Sequence, residues 1–216
     1  MIPMISVLLP ASTACAPVAA SELTGRWESS ATTRGGIASV LEFRTDGTYL
    51  RSLTVIVDSR YVADGDMLRN PGTGEADSGS PVRFRIENDR LIRNGMRGEE
   101  RAERVGRPEP GAPPIVGAWR YRHYTGGTAF ERYTTDGRML FRLPMPGTTK
   151  GCYRLDAEAS KLTISAGGQD HQTAIQVAGD ELQFMDGDHA RPYHRSEFGP
   201  WYEIEKVEYV EPDHHP

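Results

Sequence analysis

An internal repeat constrains this chain more tightly than any local propensity. Gly25-Arg26-Trp27 recurs as Gly117-Ala118-Trp119, and further landmarks follow each tryptophan in the same order. Leu23 matches Ile115, Asp46-Gly47 matches Asp136-Gly137, Tyr61 matches Tyr153, Leu91 matches Leu182 and Arg104 matches Arg195, with separations that stay between 90 and 92 residues. So small a spread places the insertions in loops and makes the chain two copies of one module.

Within each copy apolar and polar residues alternate, which is the pattern of half-buried strands. Val82, Phe84 and Ile86 oppose Arg83, Arg85 and Glu87, and Leu41 and Phe43 oppose Glu42 and Arg44. Leu53, Val55 and Val57 continue the series in the first copy. The second copy repeats it with Met139, Phe141 and Leu143, then Leu162 and Ile164, Ile175 and Val177, and Leu182 and Phe184. Asp46-Gly47 and Asp136-Gly137 are hairpin turns, because glycine takes the positive φ that a tight turn requires. About eight strands of about six residues fit the length of each copy.

These features predict an all-β chain of two tandem, small, antiparallel up-and-down β-barrels, each of about eight short strands. The expected divisions are an export leader over 1–20, a first repeat over 21–106, a proline-rich linker over 107–114, a second repeat over 115–195 and an acidic, aromatic tail over 196–216. The alternative of one larger barrel or sandwich, half from each copy, stays open.

A Gly-x-Trp entering the first strand, with an arginine on the last, resembles the calycin pattern of lipocalins and bacterial lipocalin-like proteins. That resemblance implies an arginine packed over the first-strand tryptophan, closing one barrel end. The matching residues are Trp27 with Arg104 and Trp119 with Arg195. It also implies a barrel that binds a small apolar or amphipathic ligand. An eight-stranded barrel is wide enough either to fill with its own side chains or to hold one small molecule.

The net charge of -5 sits almost wholly in the tail, which carries one lysine and six carboxylates after residue 195. Two near-neutral copies speak against nucleic-acid binding. No apolar run is long enough for a transmembrane helix. Ile5 to Leu9, followed by small residues to Ala20, reads as a leader with cleavage after Ala20, although no basic residue precedes the apolar run. The protein is therefore expected to be exported, periplasmic or extracellular. Ser12-Thr13-Ala14-Cys15 also reads as a lipobox in which Cys15 is lipidated, and a disordered N-terminus is a third reading. Removal of the leader leaves Cys152 as a lone, buried thiol with no disulfide to form.

No catalytic constellation is legible, so neither enzymatic activity nor a cofactor is expected. The ligand-lining candidates are Trp119, Tyr121, His123, Phe141 and Ile175. His123 shares strand parity with Trp119 and Tyr121 and forms, with Tyr133, a polar spot if that face is interior; a structural histidine is the plainer reading. Asp186, Asp188, His189 and His194 have no strong metal-site spacing and read as a solvated hairpin. Asp213-His214-His215 reads as a frayed end, and no metal site is expected. The tail from Phe198 to Val210 is too aromatic for a plain disordered end and is expected to fold back on a module or to engage a protein partner; the alternative to ligand binding is a non-catalytic cell-envelope scaffold that engages a protein partner through its outer strands or this acidic tail.

Overall fold

Alternating apolar side chains and Gly-containing turns leave the backbone one way to satisfy its polar groups, which is pairing with neighbouring strands. The computed structural model describes residues 14–19, 21–69, 80–95, 98–158, 160–186 and 189–198. They form β1 (Gly25–Ser29), β2 (Ile37–Phe43), β3 (Thr48–Arg60), β4 (Val62–Asp64), β5 (Met67–Arg69), β6 (Val82–Glu87), β7 (Arg90–Gly95) and β8 (Gly98–Val105) from the first copy. The second copy gives β9 (Gly117–Arg122), β10 (Thr128–Tyr133), β11 (Arg138–Pro144), β12 (Thr149–Asp156), β13 (Lys161–Ala166), β14 (Gln169–Ala178), β15 (Glu181–Asp186) and β16 (His189–Arg195). Among the described residues there is no helix long and apolar enough to cross a membrane.

All sixteen strands join in one antiparallel sheet, and eight of them close on themselves as a barrel. The circuit runs β12-β13-β14-β15-β16-β1-β2-β3 and shuts through pairing of β3 with β12. Three of its strands come from the first copy and five from the second. The remaining strands continue the same sheet from β3 through β11, β10, β9, β8, β7, β6 and β5 to β4. This second lobe has its own core, and it too draws on both copies.

The exchange is made at β3. Its first residues pair with β12, from Thr48 opposite Cys152 to Arg51 opposite Thr149. Its later residues pair with β11, from Thr54 opposite Pro144 to Arg60 opposite Arg138. The repeat relates the two ends: Tyr61 N donates to Gly137 O at 2.9 Å, and Tyr153 N donates to Gly47 O at 2.9 Å. Each copy thus hands its strand across to the other at matching positions. Midway, β3 belongs to neither core, and Leu53 and Val57, expected to continue an inward face, are 48% and 44% exposed.

Three clusters hold the molecule together. Trp27, Leu41, Phe43, Tyr49, Tyr153, Leu162, Leu182 and Phe184 fill the barrel. Leu91, Ala102, Ile115, Trp119, Ala129, Tyr133 and Met139 fill the second lobe. Val40, Leu50, Phe130, Leu140 and Phe198 pack between the two. Phe198 therefore anchors the start of the tail, and Arg138 and Glu197 add an ion pair there at 2.7 Å. The expectations for the rest of the tail, including Asp213-His214-His215, lie outside the described residues, as do most of the leader and the Asp188 carboxylate.

Beside that central cluster a fully buried Glu28 meets Arg142, whose Nε and Nη2 donate to the two carboxylate oxygens at 3.0 and 2.8 Å. Ser196 Oγ donates at 2.7 Å, His194 Nε2 lies 3.7 Å away, and Arg142 Nη1 also reaches Asp58 at 2.5 Å. Burial by itself raises the Glu28 pKa, but contacts from His194, Arg142 and Ser196 more than offset it and hold the carboxyl at about 2.

One further finding corrects the expectation of a lone Cys152. Cys15 and Cys152 form a disulfide with Cα atoms 5.3 Å apart, and no described cysteine is free. The bond lays residues 14–19 against the barrel, where Val18 N donates to Thr45 O at 3.0 Å and Val18 packs on the core.

Two outcomes follow from this architecture. Cutting the chain within 107–114 should leave both fragments co-eluting as one folded particle, because each core contains strands from both; two separately folded fragments on size exclusion would contradict the exchange. Because the folded pKa of Glu28 lies below its unfolded value, its contribution is complete above about pH 4.5 and is lost as the pH falls towards 2. Glu28→Gln should therefore remove about 3 kcal/mol of acid dependence from urea-unfolding curves across that window.

Candidate functional site

One end of the barrel is shut by the feature the repeat advertised, with partners exchanged. The resemblance pairs Trp27 with Arg104 and Trp119 with Arg195. Instead the Arg195 guanidinium lies 4.2 Å from the Trp27 ring centroid and that of Arg104 lies 4.1 Å from Trp119. The cause is the strand exchange: β16 pairs with β1, aligning Trp27 with Arg195, and β8 pairs with β9, aligning Arg104 with Trp119. Each indole donates to a carbonyl four residues earlier, Leu23 O or Ile115 O, at 2.8 Å. Each arginine also caps the entering chain, Arg195 through Thr24 O and Glu22 O, Arg104 through Val116 O and Pro114 O. Gly25 and Gly117 both take φ 127°, and a Cβ at either would stand 2.7 Å from the clasping Nη1, which is why glycine opens the motif.

The five expected ligand-lining residues do not come together. Trp119, Tyr121, His123 and Phe141 belong to the second lobe, where Phe141 packs on the core and His123 lies 6.0 Å from its ring. Ile175 lies in the barrel core instead, since β14 joins the other circuit.

The second-lobe interior is occupied by a polar cluster that includes Tyr121 and Tyr133 of the polar spot expected around His123, but whose charged pair, Arg93 and Glu131, was not among the expected residues. Arg93 Nη1 and Nη2 donate to Glu131 Oε2 and Oε1 at 2.6 and 2.7 Å. Tyr133 and Tyr121 donate their hydroxyls to the same two oxygens at 2.8 and 3.0 Å, and Arg93 Nε donates to Glu100 at 3.1 Å. Burial alone raises the pKa of Glu131, but the Arg93 charge and these donors bring it below the ordinary value. Burial, with the Glu131 charge next, raises the tyrosine pKa values. Every Glu131 oxygen has two donors, so this cluster is a completed plug. His123 at its margin has a lowered pKa, chiefly through burial, and its Nδ1 lies 2.8 Å from Thr125 Oγ1.

The barrel differs at the matching positions, because the repeat places Leu41 where the second lobe has Glu131, Phe184 where it has Arg93, and Arg191 where it has Glu100. Without the plug, the end of the barrel opposite Trp27 keeps a cavity of about 160 Å³. Leu41, Tyr49, Phe184 and Tyr193 come from the core to form its base, and Arg51, His171 and Arg191 stand at its exposed rim. Phe184 and Tyr193 meet edge to face with centroids 5.4 Å apart, and the Arg191 guanidinium lies 5.8 Å from the Phe184 centroid. Arg51 Nε donates to Ser39 Oγ at 3.2 Å. Burial pushes the Tyr49 phenol up to about 12, while Arg51 and Arg191 act in the opposite sense on it.

A larger groove of about 370 Å³ lies at the other end, between Ser21-Glu22-Leu23 and the strands carrying Leu155, Ile175 and Val177. Several of its lining residues, including Glu22, Ala157, Ser160 and Gln176, are exposed, while Leu23 and Ile175 at its floor belong to the barrel core. Among the described residues no group of three metal-ligating side chains converges; His194 is engaged with Glu28 and His189 stands exposed at the start of β16.

The plug predicts a stability asymmetry. Arg93→Met leaves the Glu131 carboxylate buried without its cation and should cost about 3–5 kcal/mol. Joining it with Glu131→Leu should restore much of the loss in urea unfolding; a double variant as unstable as the single one would show the pair to be no unit. No family model, curated protein or solved structure matches this chain.

Proposed function

We propose that this is an exported, lipocalin-like binding protein that holds a small amphipathic molecule in the open end of its barrel and performs no catalysis. In this reading the second lobe is a barrel of the same kind, related to the first by the repeat and plugged by Arg93 and Glu131. The observation that carries it is the 160 Å³ cavity, with an apolar and aromatic base and a polar rim. Ligand sites are commonly concave and mainly apolar with a few placed polar groups. An apolar cavity of about 150 Å³ admits a benzene-sized molecule, so the ligand, or the part of it that enters, is of that order.

The Cys15–Cys152 disulfide favours an oxidising compartment, since such bonds persist outside the reducing cytosol. It also occupies the sulfur that lipidation of Cys15 needs and requires Cys15 to stay in the mature chain, so the form proposed here is exported without that lipid and without cleavage after Ala20.

Ligand-detected NMR with benzyl alcohol as probe tests the reading. Ile164 also lines this cavity, so saturation transfer to the probe should be seen with the wild type and lost in Ile164→Trp, whose larger ring fills the space, while the thermal melt of the variant confirms its fold. Equal transfer to both proteins would place the probe elsewhere and overturn the assignment of the site.

A further inference from the structure

Six tyrosines are buried among the described residues, and four of them hand their hydroxyl proton to an acceptor of the chain. Tyr61 donates to Thr134 O, Tyr153 to Arg44 O, and Tyr121 and Tyr133 to Glu131. Tyr49 and Tyr193 differ. They are 6% and 8% exposed and make ring contacts with Phe43 and Phe184, yet among the described residues neither hydroxyl has a hydrogen-bond partner. The one polar side-chain atom of the described residues that is both sealed from solvent and unpartnered is Ser59 Oγ. Both phenol oxygens therefore reach open space, and the space that their side chains line is the 160 Å³ cavity.

The repeat marks these hydroxyls as particular to the barrel. The positions matching Tyr49 and Tyr193 in the second lobe are Met139 and Ala102, both in its core. There two phenols share an acceptor that the chain itself supplies, Glu131; in the barrel Leu41 stands at the Glu131 position and supplies none.

Burial raises the pKa of Tyr49, which keeps its proton and remains a donor, and the influence of Tyr193 on it sets the two phenols near one another. Around them the wall is apolar, with Leu41, Ile164 and Phe184. A hydrocarbon guest would leave both donors unmet, at the cost of a buried group without a partner. A neutral carbonyl oxygen brings two lone pairs and no charge to desolvate.

Resting on the binding role proposed above, we infer that the ligand is a small neutral carbonyl compound of about one ring in size, its hydrocarbon part against Leu41, Ile164 and Phe184 and its carbonyl oxygen accepting from the Tyr49 and Tyr193 hydroxyls.

The test uses the full chain and two probes of one shape, cyclohexanone and methylenecyclohexane, in which a CH₂ group replaces the carbonyl oxygen. Both are followed by saturation-transfer NMR titration. Tyr49→Phe with Tyr193→Phe, which removes two oxygens and keeps the rings, should lower the ratio of cyclohexanone to methylenecyclohexane affinity about tenfold. The infrared carbonyl band of cyclohexanone bound to the wild type should lie below its position in hexane, because a hydrogen bond weakens the C=O bond. An unchanged affinity ratio, or a bound carbonyl band at the hexane position, overturns the carbonyl assignment and leaves the binding site standing. Binding of methylenecyclohexane without cyclohexanone does the same, and binding of neither probe overturns the site as well. The infrared band of the wild-type complex decides the matter even if the double variant fails to fold.

Discussion

The structure depends on one run of backbone pairing, in which β3 serves two partners in succession. Four residue pairs with β12 close the barrel, and seven with β11 join it to the second lobe. Each N–H and C=O along that strand needs a partner, and unpaired groups in so buried a place are costly. The same pairing fixes which arginine meets which tryptophan, since β16 and β8 reach β1 and β9 only after β3 has crossed. The clasps, the two cores and the cluster between them all follow from it.

The repeat makes the two halves alike, and a few side chains make them differ. Glu28 and Arg142 occur in positions whose counterparts are Arg120 and Ser52, so their buried pair has no equivalent elsewhere. A buried ion pair gains little over an apolar contact of equal shape, but it penalises arrangements that strand either charge. Here it joins β1 to β11 with Asp58, Ser196 and His194 around it, and Phe198 packs beside the guanidinium. The pair thereby specifies one docking of the lobes where packed aliphatic residues alone would permit sliding. Arg93 and Glu131 make the second distinction, filling one interior where the other keeps a cavity.

Much of this was legible in the sequence, within a definite physical limit. Alternation at Leu41 and Phe43, and at Met139 and Phe141, located strands and their inner faces because period two is a local property. The composition of the clasp was legible too, but its pairing was not. Arg104 and Arg195 occupy equivalent places in the repeat, and choosing between them requires a long-range strand partner that no local signal encodes. Cys15 and Cys152 pose the same difficulty. The Arg93–Glu131 plug did leave a trace, since both are charged residues at inward parity, beside Leu91 and Ala129 respectively. Arg51, His171 and Arg191 share that parity but stand at the rim, because the border between interior and rim is set by the stagger of the closed sheet.

The position of the second lobe in the chain has a consequence for biosynthesis. Strands β4 to β11 lie between β3 and β12, so the lobe is an uninterrupted stretch of polypeptide and the barrel is assembled from the two segments that flank it. A ribosome delivers every strand of the lobe before it delivers the first of the five that complete the barrel. Three barrel strands must wait, with unpaired edges and apolar faces turned to water, until β16 has emerged, and contacts so distant in sequence form slowly. A chaperone that shields β1 to β3 during this interval would act on the step at which the nascent protein is most exposed to aggregation.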